Sequence, residues 1–377
     1  MAAMSYSPTE SPRQLIDQVR AAASARRSLR IIGGDTKAFY GQPVAGEPVS
    51  TSGWAGIVSH EPSELVVTVR AGTPLIELEA ALAEQGQCLP FEPPRFGPAS
   101  TIGGAVAAGL AGPARASAGG VRDYVLGVQF IDGRGEWLTF GGQVMKNVAG
   151  YDVSRVLAGS MGTLGILTDI SLKVLPGAPA EATLVFSLGQ HDALEQLHRW
   201  GGQPLPLNAS CWVKDQTQPD APELLFLRLR GAVAAVESAC ERLSREAGGR
   251  RMDNAETGPD WAACRDQTLP FFNAPAPDLC LWRLSVPQTA PVISLPFAQL
   301  IEWHGAQRWL WAPASAATEI RSAAAAVNGH ATLFRAGVDG APGVPRFDRQ
   351  TAVIDTITQR LRAEFDPAGI FNPGRMG

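Results

Sequence analysis

The sequence predicts an α+β protein of two domains, the second an antiparallel sheet covered by helices, and three observations carry that prediction. The chain has 377 residues, 45% hydrophobic and 18% charged, which suffices for two separate cores. A proline cluster, Pro176-Gly-Ala-Pro179, interrupts the pattern and is the natural boundary. Beyond it, strand-like and helix-like stretches alternate, as in a sheet with helices packed on it. The expected division is 1–176, 177–335 and a tail, 336–377, too short for a domain and rich in turn residues, which docks back onto the first.

The elements follow from local patterns. Pro12 to Ser24 is an amphipathic helix with Leu15, Val19 and Ala22 at helical spacing, and Leu29 to Ile32 is a short strand running into Gly33-Gly34. Leu65 to Val69 is a second strand; Thr73-Pro74 reads as the N-cap and first residue of a helix carrying Leu75, Leu78 and Leu82 on one face. Val125–Asp132 and Glu136–Phe140 form a hairpin around Gly133-Arg-Gly135, and Leu164 to Leu175 is strand-rich. In the second half, Leu225, Leu227 and Leu229 alternate with Phe226, Arg228 and Arg230, the signature of a half-buried strand. Val233, Val236, Cys240 and Leu243 share a helix face, Leu279 to Val286 is strand-like, Ile301 to Trp311 reads as a tryptophan-rich hairpin, and Ser315 to Val327 as an alanine-rich helix.

Composition excludes several function classes. A net charge of −4 leaves no basic excess to neutralise a nucleic-acid backbone. The five cysteines (88, 211, 240, 264 and 280) are scattered with no metal-ligand spacing, so no iron–sulfur cluster is expected on this chain, and an odd count fits a reducing cytoplasm. The first residues lack a secretory signal and no apolar run reaches membrane-spanning length, so a cytoplasmic protein is expected, with peripheral membrane attachment through a partner left open. Lysine occurs only at 37, 146, 173 and 214, which draws attention to Lys37 and Lys146 inside motif-like segments.

Three glycine-rich segments carry the chemistry. Ile31-Ile-Gly-Gly-Asp-Thr-Lys-Ala-Phe39 leaves a strand, and its amides, with Thr36 and Lys37, suit either an anion-binding nest or an ordinary tight turn. Asp35 must then point away from any phosphate to cap that turn. Thr101-Ile-Gly-Gly-Ala-Val-Ala-Ala-Gly-Leu-Ala-Gly112 has almost no polar side chains, so it acts through its backbone, either against a bulky ligand or as a packing site. Gly159-Ser-Met-Gly-Thr-Leu-Gly-Ile166 alone reads as a turn between strands. In this order the three suggest a nucleotide cofactor; neither GxGxxG in strand–helix context nor GxxxxGK[ST] occurs.

The order of these segments resembles the FAD-binding domain of the vanillyl-alcohol oxidase and p-cresol methylhydroxylase (PCMH-type) superfamily. The resemblance runs from Arg30 to Pro176 through GGDTK, Arg70-Ala-Gly-Thr-Pro74, LPFEPP, TIGGAVAAGLAG, Val121-Arg-Asp-Tyr-Val-Leu-Gly127, Lys146-Asn-Val-Ala-Gly-Tyr-Asp152 and GTLGILTDISLKVLP, and resumes at FDPAGIFNPGRM. Within it the whole chain is most similar to the E-subunit family of bacterial glycolate oxidase, on Leu281-Trp-Arg-Leu-Ser-Val-Pro287, Glu302-Trp-His-Gly-Ala-Gln-Arg-Trp309 and Gly329-His-Ala-Thr332. The resemblance implies a two-subdomain FAD domain followed by a cap domain. Gly33, Gly34, Asp35, Thr36 and Lys37 would hold the FAD pyrophosphate. Pro94, Thr101, Ile102, Gly103, Gly104 and Ala107 would line the flavin and ribityl side, Asp123, Gly162, Gly165 and Ile166 the adenine end, and Asn372 would approach from the tail.

The implied activity is oxidation of glycolate, a 2-hydroxy acid, to glyoxylate. The implied partners are a second FAD-binding catalytic subunit and an iron–sulfur subunit that takes the electrons. Two departures stand out. Superfamily members that attach flavin covalently use a histidine in the first loop, where this chain has Asp35, so noncovalent FAD is expected. The GHxGDGNxH motif of catalytic D-type subunits is reduced here to Gly329-His-Ala-Thr-Leu-Phe-Arg335, so no metal is expected. His330 suits a general base, with Arg335 or Arg283 pairing with a substrate carboxylate, or else is a strand-end histidine satisfied by the backbone. Trp303, Trp309 and Trp311 read as cap-domain core or subunit interface rather than a stacking platform. The alternatives to a complex subunit are a stand-alone FAD-dependent 2-hydroxy-acid dehydrogenase and a non-catalytic flavin-fold scaffold.

Overall fold

The computed structural model describes residues 11–142, 152–217 and 220–377, and the α+β class holds. The motif at Lys146 lies outside the described residues except for Asp152. The chain forms two compact units, one built from Met1–Leu110, Gly120–Gly177 and Arg349–Gly377, the other from Ala111–Gly119 and Ala178–Asp348. The first boundary therefore falls beside Pro176. The expected division differs in two places: 336–348 belongs with the second unit rather than with a tail, and 111–119 leaves the first unit to join it. The remaining tail is more than turns, since Ala352–Phe365 is a helix. None of its residues is buried, although Ile354, Ile357, Leu361 and Phe365 recur at helical spacing, and Val353, Ile354 and Ile357 are exposed.

The first unit holds a five-stranded antiparallel sheet in the order Ile57–Glu61, Val66–Arg70, Ile166–Lys173, Val125–Ile131, Trp137–Gly141. The central strand Ile166–Lys173 is buried along nearly its whole length, polar residues included. Polar groups so placed need partners. Thr168 accepts from the Trp137 indole at 3.0 Å, and Ser171 shares a 2.9 Å hydrogen bond with Thr68. Leu75–Glu84 buries Leu75, Leu78 and Leu82, as its spacing predicts. Its cap differs from expectation. Pro74 occupies the N-cap, because the Thr73 hydroxyl is already engaged in the preceding turn, donating to the Arg70 carbonyl at 2.7 Å and accepting from the Gly56 amide at 2.9 Å.

A separate parallel pair, Leu29–Ile32 with Glu47–Ser50, packs with Leu15, Val19 and Ala22 of the helix Pro12–Ala25, and with Ile370 and Phe371 from the chain's end. The tail is held by backbone hydrogen bonds from Leu29 N to Ile370 O (2.7 Å) and from Asn372 N to Leu29 O (3.0 Å).

The second unit is an eight-stranded sheet, antiparallel in every pairing, in the order Arg250–Arg251, Ala180–Ser187, Glu223–Gly231, Leu207–Lys214, Gln299–Glu302, Gln307–Ala312, Cys280–Ser285, His330–Arg335. Leu225, Leu227 and Leu229 pack with residues of the helices Gln190–Gly201 and Val233–Ala247. The opposite face is not left to water as a half-buried strand implies. Arg228 is buried there, bonded to Asn208 at 2.6 Å and stacked on Trp261, which belongs to the helix Asn254–Asp266.

The turn between Gln299–Glu302 and Gln307–Ala312 places two consecutive non-glycine residues, Trp303 (φ 53) and His304 (φ 55), in the left-handed region. Such residues cost about 1–3 kcal/mol each and persist where surrounding contacts over-determine them. Here the Trp303 indole donates to the Gly112 carbonyl at 3.0 Å, and the His304 ring bridges Ser210 (3.1 Å) and Ser117 (3.0 Å). Burial lowers the His304 pKa to about 4. A depressed histidine adds stability that is complete above the unfolded value near 6.5 and is lost as pH falls through that value toward 4. The loss is on the order of 3 kcal/mol. Urea unfolding at stepped pH should show this slope, and His304→Gln, which keeps both hydrogen-bonding ends, should flatten it.

Candidate cofactor cradle

The strand Leu29–Ile32 delivers the loop Gly33–Lys37 against residues 99–101, so tightly that side chains are excluded. A Cβ on Gly33 would sit 2.5 Å from the Thr101 hydroxyl, and one on Gly34 would overlap the Ala99 carbonyl. Asp35 turns the chain in the left-handed region (φ 53) and its carboxylate faces Arg30 at 3.4 Å. Lys37 Nζ donates to Ser100 Oγ at 2.7 Å and to the Arg95 carbonyl at 3.3 Å, and lies 5.6 Å from the centre of the Phe96 ring.

The TIGG segment becomes the helix Ile102–Ala108. Thr101 caps it, accepting from the Gly104 amide at 3.2 Å, and Gly109 (φ 66) ends it in the left-handed conformation. Helical spacing puts Thr101, Gly104, Ala107 and Ala108 on one face, and that face lines a cleft of about 100 Å³ together with Gly33, Gly34, Asp35, Thr36 and Lys37. The C-terminal tail closes it. Asn372 accepts from the Ile31 amide at 2.9 Å and donates to the Met161 carbonyl at 2.7 Å, while Arg375 donates to the carbonyls of Gln42 (3.0 Å) and Lys37 (3.1 Å).

Nine residues expected at a cofactor thus meet here: Gly33, Gly34, Asp35, Thr36, Lys37, Thr101, Gly104, Ala107 and Asn372. Seven others do not line the cleft, and most have visible work elsewhere. Gly103 lets the helix approach the turn that follows the strand Val66–Arg70: a Cβ would stand 2.7 Å from Ala71. Gly165 does the same against Phe130 and Ile131, and Ile166 is core. Ile102 is fully buried. Asp123 caps a short turn by accepting from the Gly120 amide at 2.8 Å. Gly162 backs onto Asn372, where a Cβ would stand 2.7 Å from the side-chain amide, and Pro94 is buried in the proline-rich turn. Arg30, Tyr40, Met161 and Arg375, not among the expected residues, also line the cleft. Arg30 and Arg375 lie within the quoted segments, and charge was their available signal.

Three cations, Arg30, Lys37 and Arg375, stand against one carboxylate, Asp35, around loop amides and a wall of small residues. That donor set fits a diphosphate. About 100 Å³ has room for that portion of a dinucleotide rather than the whole. Neither histidine nor cysteine lines the cleft among the described residues.

In the second unit, His330 is exposed at the start of the sheet's edge strand, opposite Ser285. Partial desolvation of its ring, and then the charge of Arg283, lowers its pKa, which favours the neutral imidazole. Arg283 and Arg335 both stand over the Phe334 ring, at 5.4 and 5.9 Å, and Arg335 donates to Gln267 at 2.7 Å. Trp309 is buried between Phe272 and Phe334, a core role in keeping with its expectation.

Residues 8–141 match the family described as FAD binding domain. Over 362 residues, 96% of each chain, the protein is 44% identical to the glycolate oxidase subunit GlcE of Escherichia coli (strain K12). Over 140 residues, 37% of this chain and 30% of the relative, it is 33% identical to the glycolate oxidase subunit GlcD of Bacillus subtilis (strain 168). A solved structure of alkyldihydroxyacetonephosphate synthase aligns with 97% of this chain and 76% of its own, at a TM-score of 0.68 and 16% identity, a likeness of fold.

Proposed function

We propose, for a chain that belongs to the family of the glycolate oxidase subunit GlcE, that it is the FAD-carrying E-type subunit of a glycolate-oxidising complex. The observation that carries this reading is the cationic, glycine-lined cradle at Gly33–Lys37, sized for a diphosphate and set inside a stretch that matches an FAD-binding domain. Bound FAD supplies a two-electron acceptor for oxidation of glycolate to glyoxylate. Lys37, Arg30 and Arg375 neutralise its phosphates, the loop amides donate to them, and the small face of Ile102–Ala108 admits its bulk. Attachment is noncovalent, so acid precipitation should leave the flavin in the supernatant. Lys37→Met should weaken FAD binding by about 10- to 100-fold, the worth of one charge-assisted hydrogen bond, as read by calorimetric titration of the flavin-stripped chain.

His330 is the candidate base, its neutral ring suited to take the hydroxyl proton, with Arg283 and Arg335 as carboxylate partners. Electrons then pass to an iron–sulfur subunit, and a second flavoprotein subunit completes the assembly in the cytoplasm, peripheral to the membrane. Among the described residues no helix is long and apolar enough to cross a membrane. The deciding experiment is to add glycolate anaerobically to the purified, FAD-loaded chain. Bleaching of the flavin places substrate chemistry on this subunit. An unbleached flavin that is reduced only when the partner subunits are present makes it an electron relay, and unchanged complex activity after loss of the flavin makes it a scaffold.

A further inference from the structure

The second unit contains a larger cavity, about 600 Å³, that shares no residue with the cradle. It lies between the sheet face bearing Thr183, Cys211 and Phe226 and the segments Asn254–Asp266 and 269–275. The volume falls in the range of small-molecule sites, about 300–1,000 Å³. Its walls are ring faces: Phe226, Trp261, Phe271 and Trp311, with Pro270 and Pro296 beside them.

The buried polar groups among the lining residues are already engaged with the protein. The Trp261 indole donates to Thr183 (3.0 Å), the Trp311 indole to the Phe271 carbonyl (2.8 Å), the Thr257 hydroxyl to the Asp253 carbonyl (3.1 Å), and the Cys264 thiol to Glu302 (3.1 Å). The Gln299 amide donates to the Ile293 carbonyl (3.0 Å) and accepts from Gln190 (3.3 Å). An occupant therefore gains apolar area and ring contacts there rather than new hydrogen bonds. Lys214, Asp215, Gln216, Thr217, Asp260 and Asn273, exposed or half-buried, supply charge and hydrogen-bonding groups where the cavity meets solvent. A two-carbon hydroxy acid among the rings would be stripped of water without replacement, so this is not a site for it.

We infer that this cavity binds a largely apolar aromatic molecule, its ring body among the tryptophans and phenylalanines and its polar end outward. The test is fluorescence titration of the full, FAD-loaded chain with 1-anilinonaphthalene-8-sulfonate. One saturable site is expected. Val213→Trp, which places a ring into the cavity from the strand Leu207–Lys214, should weaken binding at least about tenfold, whereas Val233→Trp, on an exposed helix position outside it, should leave the affinity unchanged. Because the first variant introduces bulk, amide exchange of the unmodified chain gives a second reading, with bound probe slowing exchange in Asn254–Asp266 and 269–275. The inference is overturned by absence of saturable binding, by an unchanged affinity in a folded Val213→Trp chain, or by protection confined to other segments. Quantitative release of the probe on mixing with the partner subunits also overturns it, assigning the cavity to a protein interface.

Discussion

Gly34→Val should yield a chain that folds poorly and carries almost no flavin. The added Cβ would overlap the Ala99 carbonyl, a backbone atom that cannot swing aside, so the loop Gly33–Lys37 must lift from residues 99–101. Overpacking against flexible neighbours already costs about 1–3 kcal/mol, and a rigid carbonyl makes the upper end of that range the floor. Displacing the loop also moves Lys37 off Ser100 and Arg95, so the cationic side of the cradle is lost with it. FAD affinity should fall by well over about a hundredfold, the equivalent of losing nearly 3 kcal/mol of binding. The flavin-to-protein absorbance ratio of the purified variant, read beside its melting temperature, checks both halves. Full flavin occupancy in a normally stable Gly34→Val chain would show that the contact with Ala99 is dispensable. Gly104→Ala is the useful companion, because its Cβ would meet only Thr101 Oγ1 at 3.2 Å; the fold should survive while the cleft narrows.

Asn372→Ala has the second largest expected effect, and it acts from the far end of the chain. The side chain is buried, and its loss leaves the Ile31 amide and the Met161 carbonyl without their partner. Each orphaned group costs about 1–3 kcal/mol. The residue sits at φ 39, a region asparagine tolerates better than alanine, which adds about 1–2 kcal/mol. A destabilisation of about 4 kcal/mol by urea titration is expected, with weakened FAD retention, and Asn372→Asp should recover only the half of the pattern that accepts from Ile31. A loss below about 1 kcal/mol would show that the tail is carried by Ile370 and Phe371 alone.

Much of the cradle was legible because its signals are local. A strand running into two glycines is set by a few neighbouring residues, and the structure has it at Leu29–Lys37, whereas the helix Ile102–Ala108, capped by Thr101 and ended by Gly109, was not expected in a run of small residues. What local pattern cannot tell is why a glycine is required. Gly103 and Gly165 are needed for the protein's own packing, a distinction that rests on Ala71 and Phe130, distant in sequence. The charge of Arg375 was legible but its place was not, since its partners Gln42 and Lys37 lie more than three hundred residues away. In the second unit, Asn254–Asp266 carries Gly258 and Pro259 inside a helix and shows no apolar stripe, so neither propensity nor period announces it. That one missing helix turned an apparently half-buried strand into one covered on both sides, and concealed the aromatic cavity.

The tail's place in the cradle also has a consequence in time. Ribosomes deliver the strand Leu29–Ile32 and the glycine loop more than three hundred residues before their partners Ile370, Asn372 and Arg375. The cradle is therefore completed only after Asn372 and Arg375 have emerged, whatever the second unit has done meanwhile. Cofactor loading becomes a check that translation has passed this segment: a product truncated before Ile370 should keep its glycine loop and still fail to retain FAD.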